Sequence, residues 1–115
     1  MNVELTRFKV KQGKTAQVDE WMEFLRENMD AVLTTLEGEK MYVETIFREE
    51  LNGSEYLYWY SVQGEAGQEV ENSEHWIDKR HLAYWHDCID KTFAPVDLRT
   101  EAVMIPDKIR SQMKS

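Results

Sequence analysis

The feature that most constrains the fold is a pair of strand-like segments joined by Asn52-Gly53. The segments, "MYVETIFREE" (41–50) and "EYLYWYSVQ" (55–63), are rich in aromatic and β-branched residues, which favour strands. An Asn-Gly pair readily adopts the left-handed backbone of a tight hairpin turn. The sequence therefore predicts an antiparallel hairpin in the middle of the chain.

The elements around this hairpin predict the rest of the fold. A strand-like run, 2–11, leads through Gly13 and Thr15, a candidate N-cap, into a segment whose apolar residues are spaced by three and four, which predicts a helix ending at Gly38. An acidic connection, 64–72, is followed by a second helix within "SEHWIDKRHLAYWHDCIDK" (73–91) and a last strand, "VDLRTEAVMI" (96–105). The order β-α-β-β-α-β predicts an α+β, ferredoxin-like fold, in which two helices cover one face of a four-stranded antiparallel sheet.

Length and charge limit the classes of function. A chain of 115 residues suffices for one hydrophobic core, so we expect a single domain over 1–106 and a short polar C-terminal tail over 107–115. The formal net charge of −8 disfavours binding to nucleic acid or to anionic membranes. No apolar run reaches the roughly 20 residues that span a bilayer, and the start of the chain does not resemble a signal peptide, so we expect a cytoplasmic protein. Cys88 is the single cysteine and has no partner for an internal disulfide.

Alternation along the strands predicts the two faces of the sheet. The helix-covered face is expected to contain Thr6, Phe8, Val10, Met41, Val43, Thr45, Phe47, Leu57, Trp59, Val96, Leu98, Thr100, Ala102 and Met104. The open face is expected to contain Val3, Leu5, Arg7, Lys9, Tyr42, Glu44, Ile46, Arg48, Tyr56, Tyr58, Tyr60, Val62, Asp97, Arg99, Glu101, Val103 and Ile105. This second set is too apolar for open water, so we expect a second copy of the chain to cover it and form a homodimeric α+β barrel.

The aromatic and basic residues of the open face allow two interpretations. They are interface residues of the dimer, or they line a pocket for a small aromatic or anionic ligand. The candidate ligand-binding residues are Tyr56, Tyr58, Tyr60, Arg7, Arg48, Arg99 and Trp85.

The second helix contains all three histidines of the chain, but a helical wheel does not bring them together. No pair has the i, i+4 spacing with which two helical histidines share a metal, so no metal site is predicted. His81 lies in the inward stripe with Asp78 three residues before it, and the pair is the candidate catalytic site, with Asp78 orienting the ring. The alternative is a structural histidine hydrogen-bonded within the core, and Cys88 is expected to be a core residue.

Two segments carry a family resemblance. "FKVKQGKTAQVDEWMEFL" resembles the opening of dimeric α+β barrel proteins, a superfamily that includes antibiotic-biosynthesis-type and haem-degrading monooxygenases. "IDKRHLAYWHDCID", together with the order of elements, resembles a family of small, uncharacterised bacterial proteins of this kind. Likeness to the haem-degrading enzymes would imply His81 or His86 as the iron ligand, with Trp59 or Trp85 beneath the haem. The asparagine that those enzymes carry on the first strand has no good match, because Asn2 lies too early.

These observations lead to one expected function and two alternatives. We expect a homodimer that binds a small molecule in a cavity by the sheet, with the cofactor unknown. The first alternative is a small monooxygenase, cofactor-independent or haem-using. The second is a structural or regulatory dimer without a ligand.

Overall fold

The computed structural model describes residues 1–65 and 73–113, which form one antiparallel sheet with helices on one of its faces. The strands are β1 (Asn2–Lys9), β2 (Met41–Leu51), β3 (Ser54–Gln63) and β4 (Val96–Leu98), in the order β2-β3-β1-β4. The helices are α1 (Thr15–Glu27), α2 (Met29–Gly38), α3 (Trp76–Cys88) and the short α4 (Asp107–Arg110), with a 3-10 turn over Ser111–Met113. The predicted ferredoxin-like arrangement is confirmed. Most of the predicted acidic connection, 66–72, lies outside the described residues.

The central hairpin has the predicted turn. Asn52 and Gly53 have φ angles of 52° and 79°, the left-handed conformation that a two-residue turn requires. The turn places Leu51 opposite Ser54, and the pairing continues to Val43 opposite Val62 before a bulge between Met41 and Val43.

The predicted first helix is two helices, because the chain bends at Asn28. The backbone of Asn28 leaves the helical region, with φ −115° and ψ 32°. Its side-chain amide and its backbone N–H both donate to the carbonyl of Phe24, at 2.9 and 3.1 Å. Asparagine offers such local bonds in place of the helical ladder, so α1 ends here and α2 starts in a new direction. At the start of α1, Lys14 rather than Thr15 occupies the N-cap position.

The core lies between the sheet and helices α1 and α3. Trp21 of α1 is fully buried at its centre, and Val10 bridges to Ile89 at the end of α3. Cys88 is fully buried beside them, as expected of a core residue. The buried cluster consists of Val10, Val18, Trp21, Leu57, Cys88 and Ile89. No helix in the described ranges is long and apolar enough to cross a bilayer.

The predicted faces are right for β1, for β3 and for Met41 before the bulge, but wrong for β2 from Val43 onward and for β4. Residues directly opposite each other in an antiparallel pair lie on the same face, and Ile46 is opposite Trp59. Glu44, Ile46 and Arg48 therefore lie beneath the helices, and Val43, Thr45 and Phe47 lie on the open face.

In β4, too, the residues predicted for one face of the sheet lie on the other, and the strand is shorter than predicted. Leu98 is opposite Leu5 on the open face, whereas Asp97 lies on the covered face and accepts a hydrogen bond from Thr6 at 2.7 Å. Beyond Leu98 the chain leaves the ladder, and the Thr100 hydroxyl donates to the carbonyl of Val3. Residues 99–106 have no regular secondary structure.

Candidate functional site

A cavity of about 970 Å³ lies between the covered face of the sheet and the helices. Its floor is formed by β1, β2 and β3, and its walls by α1, α2 and α3. The size falls within the roughly 300–1,000 Å³ typical of small-molecule sites.

The floor of this cavity is polar where a sheet under helices is usually apolar. Glu4, Thr6, Glu44, Ser61 and Gln63 line it. The Gln63 amide donates to Glu4 at 3.1 Å and to the Ser61 hydroxyl at 3.0 Å, so part of this floor is already hydrogen-bonded. Glu44 accepts a hydrogen bond from the Trp59 indole at 3.2 Å. These groups can orient a ligand through its hydroxyl or amino groups.

The helical wall contributes Asp78 and His81, one turn apart on α3. Asp78 is only 6% exposed, and its Oδ2 atom is buried without a hydrogen-bond partner. A buried carboxylate oxygen without a donor is costly, and native structures rarely leave one so. Asp78 is therefore the group in this cavity that most requires a partner.

His81 is a neutral ring whose tautomer is determined by its neighbour. The Trp21 indole donates to His81 Nδ1 at 3.0 Å, so the ring proton is on Nε2. Burial lowers the pKa of His81 to about 4, although the nearby charge of Asp78 raises it in part. At neutral pH the ring therefore gives Asp78 no positive charge.

Glu44, on the floor of the cavity, is also a largely buried carboxyl group, and burial disfavours its charged form. Burial raises the pKa of Glu44, the hydrogen bond from Trp59 lowers it, and the charge of Asp78 raises it again. The charge of Asp78 thus disfavours the ionised form of Glu44. Such a pair can share a proton, act as proton donor and acceptor, or be neutralised by a bound cation.

Aromatic rings line the apolar part of the cavity. Phe8 makes edge contacts with Trp59 and Trp85, with ring centroids 6.1 and 5.8 Å apart. Trp59 also packs against the buried Trp21, at 5.6 Å. The packing holds the rings of Trp59 and Trp85 in place at the cavity lining.

The candidate residues from the sequence fall into two groups. His81, Asp78 and Trp85 line the cavity. The others lie elsewhere: Arg7, Tyr56, Tyr58 and Tyr60 are on the open face, Arg48 is on the covered face outside the cavity lining, and Arg99 is exposed.

Most of the outlying candidates have contacts of their own, although the buried Nε atom of Arg7 has no hydrogen-bond partner. Tyr58 donates to Glu49 at 2.7 Å, and Arg7 lies over the rings of Tyr56 and Phe93. Arg48 is bonded to Asp19 and Glu55, both at 2.6 Å, and Arg99 pairs with Glu101 at 2.7 Å. The tyrosines, Arg7 and Arg99 therefore do not meet His81 in one pocket.

Glu44, Ser61 and Gln63 were missed as site residues because β2 was assigned to the wrong face and the polar end of β3 was left unassigned. The register of the hairpin would have predicted the correct face of β2. A two-residue turn at Asn52-Gly53 makes Leu51 and Ser54 opposite each other, and counting outward pairs Ile46 with Trp59 and Glu44 with Ser61.

The other two histidines and the cysteine lie in three different environments. His75 caps α3 by accepting the Ile77 N–H, while His86 is exposed at the cavity edge. Burial raises the pKa of the Cys88 thiol, which makes it a poor nucleophile. Within residues 1–65 and 73–113, no group of three or more His, Cys, Asp or Glu side chains is placed to hold a metal ion.

Comparison with known proteins identifies the family. A family model described as a family of unknown function, DUF6176, matches residues 1–111. The chain belongs to this family. No curated protein matches. Among solved structures, the crystal structure of L-rhamnose mutarotase from Formosa agariphila is similar in fold, with a TM-score of 0.56 and 16% identity over 92% of this chain and 99% of that chain.

Proposed function

We propose that this DUF6176 protein binds a small hydroxylated organic molecule, of about the size of a monosaccharide, in the cavity beneath its helices. The observation that carries the proposal is Asp78, whose buried Oδ2 lacks a hydrogen-bond donor beside a space large enough for a ligand. A ligand hydroxyl would supply the missing donor.

The lining of the cavity supports a ligand with both polar and apolar faces. Trp59 and Trp85 offer flat apolar surfaces, while Glu44, Ser61 and Asp78 offer hydrogen-bonding groups. A sugar has this combination, with C–H groups on its ring faces and hydroxyl groups at its edge. The fold neighbour, an L-rhamnose mutarotase, acts on a sugar, which is consistent with the proposal.

A ligand screen tests this proposal. L-rhamnose, D-galactose, D-glucose and D-mannose are titrated against the protein while tryptophan fluorescence and the unfolding temperature are recorded. A ligand that binds the folded state at 100 times its Kd should add about 2.7 kcal/mol to the free energy of unfolding. Asp78→Asn should weaken binding, and the matched control Asp87→Asn, on the exposed side of α3, should not. If neither these four sugars nor the charged sugars tested below change either signal, the proposal is wrong.

A small monooxygenase remains the alternative, with His81 as base or as haem ligand. It is favoured by the position of His81 in a cavity with Trp59 and Trp85. Haemin titration tests it, because iron coordination by His81 would give an absorbance change that His81→Ala removes.

We also propose that the open face of the sheet is covered by a second copy of the chain. Phe47, Val96 and Leu98 are 55%, 38% and 42% exposed on that face, which is a large apolar surface to leave in water. Light scattering should show a dimer at micromolar concentration that Phe47→Glu weakens. Leu33→Glu, at an equally exposed position on α2, is the control and should leave the dimer intact. A wild-type monomer would contradict this proposal.

A further inference from the structure

The charge balance of the cavity restricts the ligand further than its shape does. Glu44 and Asp78 project into it from opposite sides, one from the sheet and one from α3. In the described part of the chain, neither carboxyl group forms an ion pair with a lysine, an arginine or the N-terminus. Two carboxyl groups thus line one cavity, and neither is paired with a cation in the described part of the chain.

The other charged groups around the cavity do not change this balance. Arg26 of α1 and His86 of α3 line its edge, but both are exposed to solvent. Glu4 of β1 and Glu65 are exposed as well, and Glu65 lies 4.0 Å from the N-terminal ammonium group, while His81 is neutral at pH 7. The charge of the interior is therefore that of Glu44 and Asp78. The interior of the cavity is therefore electronegative, and an anionic ligand would meet repulsion there.

The aromatic rings beside these carboxyl groups favour the same kind of ligand. Trp59 donates its indole N–H to Glu44, so the edge of its ring meets that carboxyl group, and Trp85, which also lines the cavity, packs against Phe8. The faces of tryptophan rings attract cations, most strongly where water is excluded. Carboxylates and tryptophan faces together are the usual surroundings of a bound ammonium group.

We propose that the ligand of this cavity carries an amino group, which in its ammonium form binds between Glu44 and Asp78, as in an amino sugar or another hydroxylated amine. This inference rests on the proposed function, because it concerns the same cavity. The ammonium group supplies the donor that Asp78 Oδ2 lacks and neutralises the repulsion between the two carboxyl groups. Acidic and phosphorylated sugars are excluded by the same charges.

The experiment compares sugars that differ only in charge. D-galactosamine, D-galactose and D-galacturonate form one set, and D-glucosamine, D-glucose and D-glucuronate a second. Each is titrated at about pH 6, where an amine of ordinary pKa is protonated. In at least one set, the amino sugar should bind on the order of tenfold more tightly than the neutral sugar, and the acidic sugar should not bind measurably.

Variants show whether the two carboxyl groups cause this preference. Asp78→Asn and Glu44→Gln should each reduce the ratio of amino-sugar to neutral-sugar affinity by on the order of tenfold. Without ligand, both variants should be at least as stable to urea as the wild type, because each removes one of two repelling charges. Glu49→Gln, on the same strand as Glu44 but on the open face, is the control and should keep the preference.

The outcomes separate this inference from the proposed function. Equal binding of amino and neutral sugars overturns the amino-group inference and leaves sugar binding intact. The amino-group inference also fails if the preference persists in Asp78→Asn and Glu44→Gln. If none of the sugars binds, both proposals fail.

Discussion

Replacing His81 should change how the stability of this protein depends on pH. An unfolded histidine has a pKa near 6.5, and burial lowers the pKa of His81 to about 4. Between these values the unfolded chain binds a proton that the folded protein excludes. The contribution of the neutral ring to the free energy of unfolding is therefore fully present above pH 6.5 and is lost as the pH falls through about 4. A pKa difference of about 2.5, at about 1.36 kcal/mol for each pKa unit, corresponds to a total of between about 3 and 4 kcal/mol.

The raised pKa of Glu44 makes the stability depend on pH in the opposite direction to His81. The effect of His81 is therefore measured in variants that lack the Glu44 carboxyl group. Because burial raises its pKa, the folded protein holds this proton more tightly than the unfolded chain does. Its effect reduces stability as the pH rises above 4.5, the usual pKa of a glutamate. The clean comparison is therefore between Glu44→Gln and the double variant Glu44→Gln/His81→Gln. The glutamine at position 81 keeps an acceptor for the Trp21 indole.

Urea unfolding, followed by tryptophan fluorescence between pH 4 and 7.5, measures this effect. Glu44→Gln should lose up to about 3 kcal/mol more between pH 6.5 and 4 than the double variant does. Parallel pH profiles for the two variants would refute the reasoning. So would an NMR titration in which the ring of His81 takes up its proton near pH 6.5.

Two further predictions concern the surroundings of the site. Trp21→Phe leaves His81 Nδ1 without its donor and opens space in the core, so it should reduce the free energy of unfolding by about 2–4 kcal/mol, measured in urea. Trp76→Phe, at a half-exposed position, is the control and should cost less than about 0.5 kcal/mol. Arg48→Met removes two ion pairs that join α1, β2 and β3, and should cost about 0.5–2 kcal/mol, less at high salt. Arg99→Met, which removes an exposed local pair, should have no measurable effect, and an equal loss in both arginine variants would contradict this account.

Much of the fold could be predicted because its signals are local. The Asn52-Gly53 turn, the aromatic strands around it and the helical spacing after Val18 are properties of short segments. The bend at Asn28 was not predicted, because an asparagine within an apolar pattern is compatible with one helix or with two. The short β4 was not predicted either, because the alternation of 96–105 continues after the pairing with β1 has ended at Leu98.

The candidate site could be predicted only in part. Asp78, His81 and Trp85 share one side of a helix, and that relation can be read from their spacing. The groups that surround them are distant in sequence: the Trp21 indole, the Glu44 carboxyl group and the ring of Trp59. Their meeting depends on strand register, and a shift of one residue would place Glu44 on the opposite face.

The sequence by itself determined the order of elements, the central hairpin and the inward position of His81, because periodicity and turn chemistry act over a few residues. Only the tertiary structure decided which face of β2 the helices cover, and hence that two carboxyl groups share one cavity. It also decided the state of His81, since the low pKa of this ring comes from burial. The acidic character of the site is therefore a property of packing between segments, to which no single segment of the sequence points.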